Sequence, residues 1–197
     1  MNRAMLENIH KYKIVLGSNS PRRKELLAGL DVNFSVRTLP DVDESYPDTL
    51  PIQEVPAYIA HKKAEAYMLK MADDELLITA DTIVWASDKV LGKPTDREDA
   101  RIMLQALSGK EHKVITGVCL VTKDKKVSFS VTSEVRFGTL TEAEIIYYVE
   151  KYCPYDKAGA YGIQEWIGYI AVESINGSFY NVMGLPVQRL YQELKQF

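Results

Sequence analysis

Cations in the first turn of a helix sit badly with its dipole unless something anionic meets them. The segment Leu16-Gly17-Ser18-Asn19-Ser20-Pro21-Arg22-Arg23 creates that situation. A loop of small residues leaves a strand and runs straight into a helix start, where unsatisfied N–H groups and the dipole attract anions. Each arginine there costs ~0.3–1 kcal/mol. A bound polyphosphate would reverse the sign, because guanidinium groups grip phosphate oxygens in bidentate fashion. The alternative is that both side chains splay into water, and the residues alone leave these two readings even. The Gly-Lys-Ser/Thr ending of a Walker A loop is missing.

Carboxylates supply the second ingredient. Asp81 stands between the apolar run Leu76-Leu77-Ile78-Thr79-Ala80 and Thr82-Ile83-Val84. An acid inside a continuous apolar strand is costly to bury unless it is paired, hydrogen-bonded or on a metal. That favours a site over a merely satisfied aspartate. Asp43 and Glu44 lie in an acidic loop, where surface charge explains most such residues. Lys93, in Leu91-Gly92-Lys93-Pro94, lies just past the strand pair that holds Asp81, and Lys63 sits on a helix. Either lysine fits solvated surface as well as an anion site.

The segment Asp156 to Gln164 carries two glycines and two alanines, so its backbone can approach a ligand closely, or simply turn tightly. Gln164 offers a donor and an acceptor, which suits the edge of a base. His10, His61 and His112 have no partner at metal or triad spacing.

The elements that must carry these residues follow from pattern. Lys13–Leu16 predicts a short buried strand; Ser20, Pro21 and Gly29 predict the cap, first position and end of a helix. Val32–Val36 predicts a second strand, and Asp41–Pro51, acidic and proline-bearing, a loop. Helical spacing runs from Ile52 to Met71. A strand is predicted over Leu76–Trp85, turning at Ala86–Lys89. A helix with Thr95 and Glu98 at capping-box spacing ends at Ser108-Gly109, and a hairpin over Val114–Phe137 turns at Lys123–Lys125. Thr141 and Glu144 open another helix that reaches Glu150. Late strands around Ile167–Ile175 are predicted to turn at Asn176-Gly177, before a last helix from Pro186 to Gln196. The mixture of strand–helix units and hairpins predicts an α/β protein with a mixed, twisted sheet.

Bulk properties bound the reading. A chain of 197 residues fits one domain, or one elongated domain with two lobes. Its hydrophobic fraction of 46% is ample for a packed core. With 24 basic against 27 acidic residues and a net charge of −3, a nucleic-acid backbone is disfavoured as partner, although a local basic pocket remains compatible with a small anion. Cys119 and Cys153 match no CxxC or zinc spacing, which suits a reduced, intracellular setting. No membrane span or signal segment is expected, so a cytoplasmic protein is expected.

Taken in order, LGSNSPRRKELL, VDES, AHKKA, ADTIV, LGKP, LSGKEHKVITGV, DKAGAYGIQ and INGSFYNVMGLP resemble the Maf family, also called septum formation inhibitor proteins. The match spans Ile14 to Leu190. The resemblance implies an elongated α/β fold with a central mixed sheet and a cleft, similar to inosine-triphosphate pyrophosphatases. It implies hydrolysis of nucleoside triphosphates between the α and β phosphates with a divalent cation, Mg²⁺ or Mn²⁺. Carried over residue by residue, Ser18, Ser20, Arg22 and Arg23 bind phosphate, assisted by Lys63 and Lys93. Glu44 and Asp81 form the metal-linked pair, with Asp81 the proton acceptor. The branch acting on dTTP and UTP is marked by Pro-Arg-Arg, Ala-Asp-Thr and Gly-Ile-Gln, matched here at Arg22, Thr82 and Gln164. The 7-methyl-GTP branch has Pro-Trp-Arg, Ser-Asp-Gln and Lys-Ser-Glu instead, and Gly17 stands where alanine is commoner. The rival expectations are a pyrophosphatase for modified purine nucleotides and a non-catalytic nucleotide-binding regulator of septation. A homodimer is plausible by resemblance.

Overall fold

The computed structural model describes residues 6–39 and 42–197. Along the chain run β1 (Lys13–Leu16), α1 (Pro21–Ala28), β2 (Phe34–Val36), α2 (Val55–Met68), β3 (Glu75–Ala86), β4 (Lys89–Leu91) and α3 (Arg97–Leu107). There follow β5 (Glu111–Val121), β6 (Lys126–Phe137), α4 (Glu142–Tyr152), α5 (Trp166–Ala171), β7 (Val172–Asn176), α6 (Phe179–Met183) and α7 (Val187–Leu194). The strands form a seven-stranded sheet in the order β2-β1-β3-β5-β6-β7, with β4 paired to β3. β1 is parallel to β2 and β3, whereas β3–β4 and β6–β7 are antiparallel. This is the expected mixed α/β sheet flanked by helices. No helix among the described residues is long and apolar enough to cross a membrane.

The chain divides into two compact units. The first holds the residues through Asp81 together with Thr116–Val131 and Gly184–Phe197; the second holds Thr82–Ile115 and Thr132–Met183. β3 therefore passes from one unit to the other between Asp81 and Thr82.

In the first unit, β1 lies between β2 and β3, with Ile14 opposite Phe34 on one side and Leu76 on the other. Ile14, Val15 and Leu16 are all buried, so neither face of this strand is solvated. α2 covers this sheet through Ala60, Ala64 and Tyr67, which pack with Val15, Leu77, Cys119 and Val121. The helix is fastened as well as packed: Thr79 Oγ1 donates to the Ala60 carbonyl at 2.6 Å. The closest approach is at Gly117 on β5, where a Cβ would lie 2.1 Å from the Ala57 nitrogen. Only a residue without Cβ lets the helix start there. Cys119 is a buried free thiol within this core.

In the second unit, Ser87 and Asp88 both take positive φ, 49° and 59°, in the two-residue turn that joins β3 to β4. α4 opens on the predicted capping box of Thr141 and Glu144. The cap of α3 sits one residue later than its pattern predicts. Asp96 accepts from the Asp99 N–H at 2.9 Å, while Asp99 accepts from the Thr95 N–H at 2.9 Å, so an acid displaces threonine as cap. The late strands are corrected too. Residues 166–171 are helical because Ile167 and Ala171, four apart, share the buried face while Tyr169 and Ile170 face solvent. Only β7 remains a strand. Asn176-Gly177 makes no hairpin: Gly177 (φ 132°) leads into α6, and Ser178 is tied to β6 by exchange with Ser133 Oγ at 3.0 and 3.1 Å.

His112 sits in the core of the second unit, 2% exposed, with its ring edge-on to Phe137 and Tyr161 and Nε2 sharing a 2.8 Å hydrogen bond with the Tyr161 hydroxyl. Burial pushes its pKa down to about 4, against roughly 6.5 in the unfolded chain. The unfolded state thus binds a proton that the folded state refuses in this window. His112's contribution is complete above pH ~6.5 and is lost as pH falls toward 4, on the order of 3 kcal/mol in all. Urea unfolding at stepped pH should show this loss in the wild type, and His112→Gln should flatten that part of the curve.

Candidate active site

α1 begins where the loop from β1 ends. Ser18 Oγ accepts the Ser20 N–H at 3.2 Å, and Ser20 Oγ accepts the Arg23 N–H at 3.5 Å, capping the helix. Pro21 occupies the first turn, where its missing N–H costs nothing. No acidic residue lies in that turn; Arg22 and Arg23, both half-buried, occupy it instead. Arg23 folds back onto the protein. Its Nε donates to the Gly184 carbonyl and Nη1 to the Ala80 carbonyl, both at 2.8 Å, with Ser18 Oγ 3.5 Å from Nη1. The guanidinium is therefore anchored one residue from Asp81. Burial pulls the Arg23 pKa below the ordinary arginine value and the Arg22 charge adds to this, while Asp81 and, more weakly, Glu44 push it back up.

The acid in the apolar strand has its partner. Lys63 Nζ, on α2, lies 2.7 Å from Asp81 Oδ1 and 2.8 Å from Glu44 Oε1. The side chains of Lys63 and Asp81 are 14% and 13% exposed, that of Glu44 52%. One ammonium thus holds two carboxylates, and neither charge of the more buried pair is left uncompensated. Five expected residues, Ser18, Arg23, Glu44, Lys63 and Asp81, with the Ser20 cap and Arg22 beside them, belong to the first unit.

A residue not expected from sequence completes this region. Lys62 Nζ donates to Asp43 Oδ2 at 2.6 Å and to the Ser45 carbonyl at 2.9 Å. Asp43 in turn accepts from the Ser45 N–H and hydroxyl, both at 2.9 Å. Glu44 is therefore flanked on both sides by residues tied to α2. The legible signal was the tandem itself: Asp43-Glu44 facing Lys62-Lys63.

Thr82, Lys93 and Gln164 belong to the second unit. Thr82 is half-buried and follows Asp81 directly. Lys93 is exposed, on a loop fixed by the Gly159 N–H donating to the Gly92 carbonyl at 3.0 Å. Gly159 is required twice over: its φ is +68°, and a Cβ would lie 2.9 Å from Val84. Gln164 is half-buried, and its Oε1 is fully buried without a hydrogen-bond donor among the described residues.

A metal-binding group would draw on few protein ligands here. Among the described residues, no three His, Cys, Asp or Glu side chains converge, whereas Glu44 and Asp81 meet at the Lys63 ammonium. Two carboxylates suit Mg²⁺, which keeps several waters and takes its remaining ligands from substrate phosphates.

A strand-to-helix loop bearing two arginines, opposite paired acids on a mixed sheet, defines a class that comparison identifies: the chain belongs to the Maf-like protein family, whose family model matches residues 13–197. It is similar to the dTTP/UTP pyrophosphatase of Parabacteroides distasonis, 69% identical over 193 residues, covering 98% of this chain and 100% of that protein. The dTTP/UTP pyrophosphatase of Bacteroides thetaiotaomicron is 64% identical over 192 residues, with the same coverage. Among solved structures, it is similar to the nucleoside-triphosphatase, dITP/XTP pyrophosphatase, of Mycobacterium abscessus at 13% identity and a TM-score of 0.42, covering 93% of this chain and 95% of that one.

Lys62 holds the Asp43 carboxyl well below the usual carboxylate range, with the Ser45 N–H and hydroxyl adding to the effect. Replacing Lys62 with Met removes the largest cause, so carbon-13 NMR should find the Asp43 titration moved up toward about 3.9. Amide exchange at Ser45 should quicken in the same variant while Lys63 keeps both of its partners.

Proposed function

We propose that the chain hydrolyses dTTP and UTP at the α–β phosphoanhydride, releasing the nucleoside monophosphate and pyrophosphate. The observation that carries this reading is the Lys63 ammonium held between Glu44 and Asp81, with the Arg23 guanidinium anchored on the neighbouring Ala80 carbonyl. The names of the similar proteins from Parabacteroides and Bacteroides supply the pyrimidine preference.

Chemistry follows from charge. The triphosphate tail approaches the start of α1, where N–H groups and the dipole favour anions. Arg22, Arg23, Lys63 and Lys93 offset the negative charge that grows on the departing pyrophosphate, and such preorganised electrostatics is the larger part of phosphoryl-transfer catalysis. Asp81 accepts the proton of a water whose oxygen attacks the α-phosphorus; the bond from that phosphorus to the bridging oxygen breaks, and pyrophosphate leaves with the bonding pair. Glu44 and Asp81 would hold a divalent cation, Mg²⁺ or Mn²⁺, which when bound supplies Lewis-acid neutralisation of the phosphates. Ser18 and Ser20 shape the loop that receives the phosphates. Thr82 and Gln164 select the base. The near-balanced net charge suits a cytoplasmic protein acting on free nucleotides and not on nucleic acid.

Incubation with dTTP, UTP, CTP and 7-methyl-GTP in the presence of Mg²⁺, assayed for pyrophosphate, is expected to show turnover of the first two. Preferred cleavage of 7-methyl-GTP, or nucleotide binding with no pyrophosphate released, overturns the proposal. Asp81→Asn should lose about 10²-fold or more in kcat, as for removal of a general base. It should melt below the wild type because Lys63 loses one of its two carboxylates, so turnover is compared at a temperature where circular dichroism shows both proteins folded. Near-normal turnover in that variant takes the proton-acceptor role from Asp81.

A further inference from the structure

The two carboxylates read above as cation ligands already hold a cation, and it belongs to the chain. Lys63 Nζ lies 2.8 Å from Glu44 Oε1 and 2.7 Å from Asp81 Oδ1. A dication on the same two acids would face an ammonium hydrogen-bonded to both. The side chains of Lys63 and Asp81 are only 14% and 13% exposed, so little water stands ready to screen that repulsion. The two cations compete for one pair.

Lys63 is the member able to yield. Asp81 stands in the middle of β3 on a one-carbon stem. The backbone of α2 is fixed, since Thr79 Oγ1 donates to the Ala60 carbonyl and both Ala60 and Ala64 are wholly buried. A lysine head rides on a flexible four-carbon stem, so it can leave the acids while the helix stays in place. Its assigned part in hydrolysis requires that departure. An ammonium committed to two carboxylates has little left to offer the charge growing on a departing pyrophosphate.

We propose that Lys63 is an internal counter-ion that exchanges with the divalent cation. It holds Glu44 and Asp81 together in the metal-free protein and is released toward the substrate phosphates when the cation binds. The inference rests on the reading of Glu44 and Asp81 as cation ligands and gives the order of events within that site. It also fixes the sign of a coupling. Lys63 keeps the two acids from repelling each other, and that stabilisation is lost on cation binding, so the lysine lowers cation affinity. A lysine that merely fastened the loop to α2 would have the opposite effect, because its loss would loosen Glu44 and weaken binding.

Calorimetric titration with Mn²⁺, without nucleotide, compares the wild type, Lys63→Met, Lys63→Arg and the double variant Lys63→Met with Glu44→Gln. Circular dichroism first establishes that each is folded. Lys63→Met is expected to bind Mn²⁺ about tenfold more tightly than the wild type, and Lys63→Arg, which keeps the charge, to stay within about threefold of it. Adding Glu44→Gln should remove the gain. Unchanged or weaker binding in Lys63→Met overturns the exchange.

A second measurement uses the wild type alone and stands even if Lys63→Met does not fold. Nitrogen-15 NMR of the lysine ammonium groups should find the Lys63 protons protected from solvent exchange in the metal-free protein. Saturation with Mg²⁺ should abolish that protection and leave Lys62, paired with Asp43, unaffected. Protection of Lys63 that persists at saturating Mg²⁺ overturns the exchange whatever the affinities. No Mn²⁺ binding by any of these proteins also overturns it, and pyrophosphate release from dTTP and UTP then decides the hydrolytic reading separately.

Discussion

One ammonium between two carboxylates governs the polar end of the first unit. Lys63 is too enclosed to be solvated freely, so its charge must be met by protein, and Asp81 and Glu44 meet it at hydrogen-bond distance. Asp81, enclosed where Glu44 is half-exposed, could not occupy its position cheaply without the lysine. That triad in turn dictates how α2 must lie. Gly117 lets the helix backbone settle against β5, the Thr79–Ala60 hydrogen bond holds it there, and Tyr67 and Ala64 fill the space beneath. The apolar core and the charged cluster are two sides of one helix, each requiring the other's placement.

Arg23 extends the same balance. Two anions, Glu44 and Asp81, face two cations, Lys63 and Arg23, and Arg22 adds one positive charge to the group. A helix start that already favours anions is thereby given a local excess of positive charge inside a chain whose net charge is −3. Arg23 is also structural, since Nε and Nη1 are committed to the carbonyls of Gly184 and Ala80. Those bonds resolve the ambiguity that the pair of arginines carried: at least one of them does not splay into water.

Where chemistry leaves a mark on residue type, the sequence was readable. An aspartate interrupting Leu-Leu-Ile-Thr-Ala has few explanations, and the Ser-Asn-Ser-Pro punctuation fixed the start of α1 to the residue. Pattern failed where two local solutions compete. Trp166–Ala171 has the aromatic and β-branched content of a strand, yet its buried residues fall four apart, and tertiary packing chose the helix. Thr95 and Asp96 are both good caps, and the choice between them depends on which side chain meets the free N–H at Asp99. The network in which the Tyr148 hydroxyl donates to Glu165 and Glu165 pairs with Lys157 was beyond reach for a different reason. Its members are brought together by the packing of α4 against the second unit's loop, and no spacing along the chain announces that encounter.

The acidic loop and α2 meet as two consecutive acids on two consecutive lysines, and this arrangement sets a reading frame. Neighbouring helical residues point about 100° apart, so Lys62 takes Asp43 and Ser45 while Lys63 takes Glu44 between them. Sliding the loop by a single residue would still bring a negative charge to Lys63, but from aspartate, one methylene shorter than Glu44. The same slip would set Val42 against Lys62, so the Lys62–Asp43 pair is lost and the two alignments differ in charge as well as in side-chain length. A tandem of acids on a tandem of lysines therefore admits one docking of this segment, where a single acid could settle on either lysine.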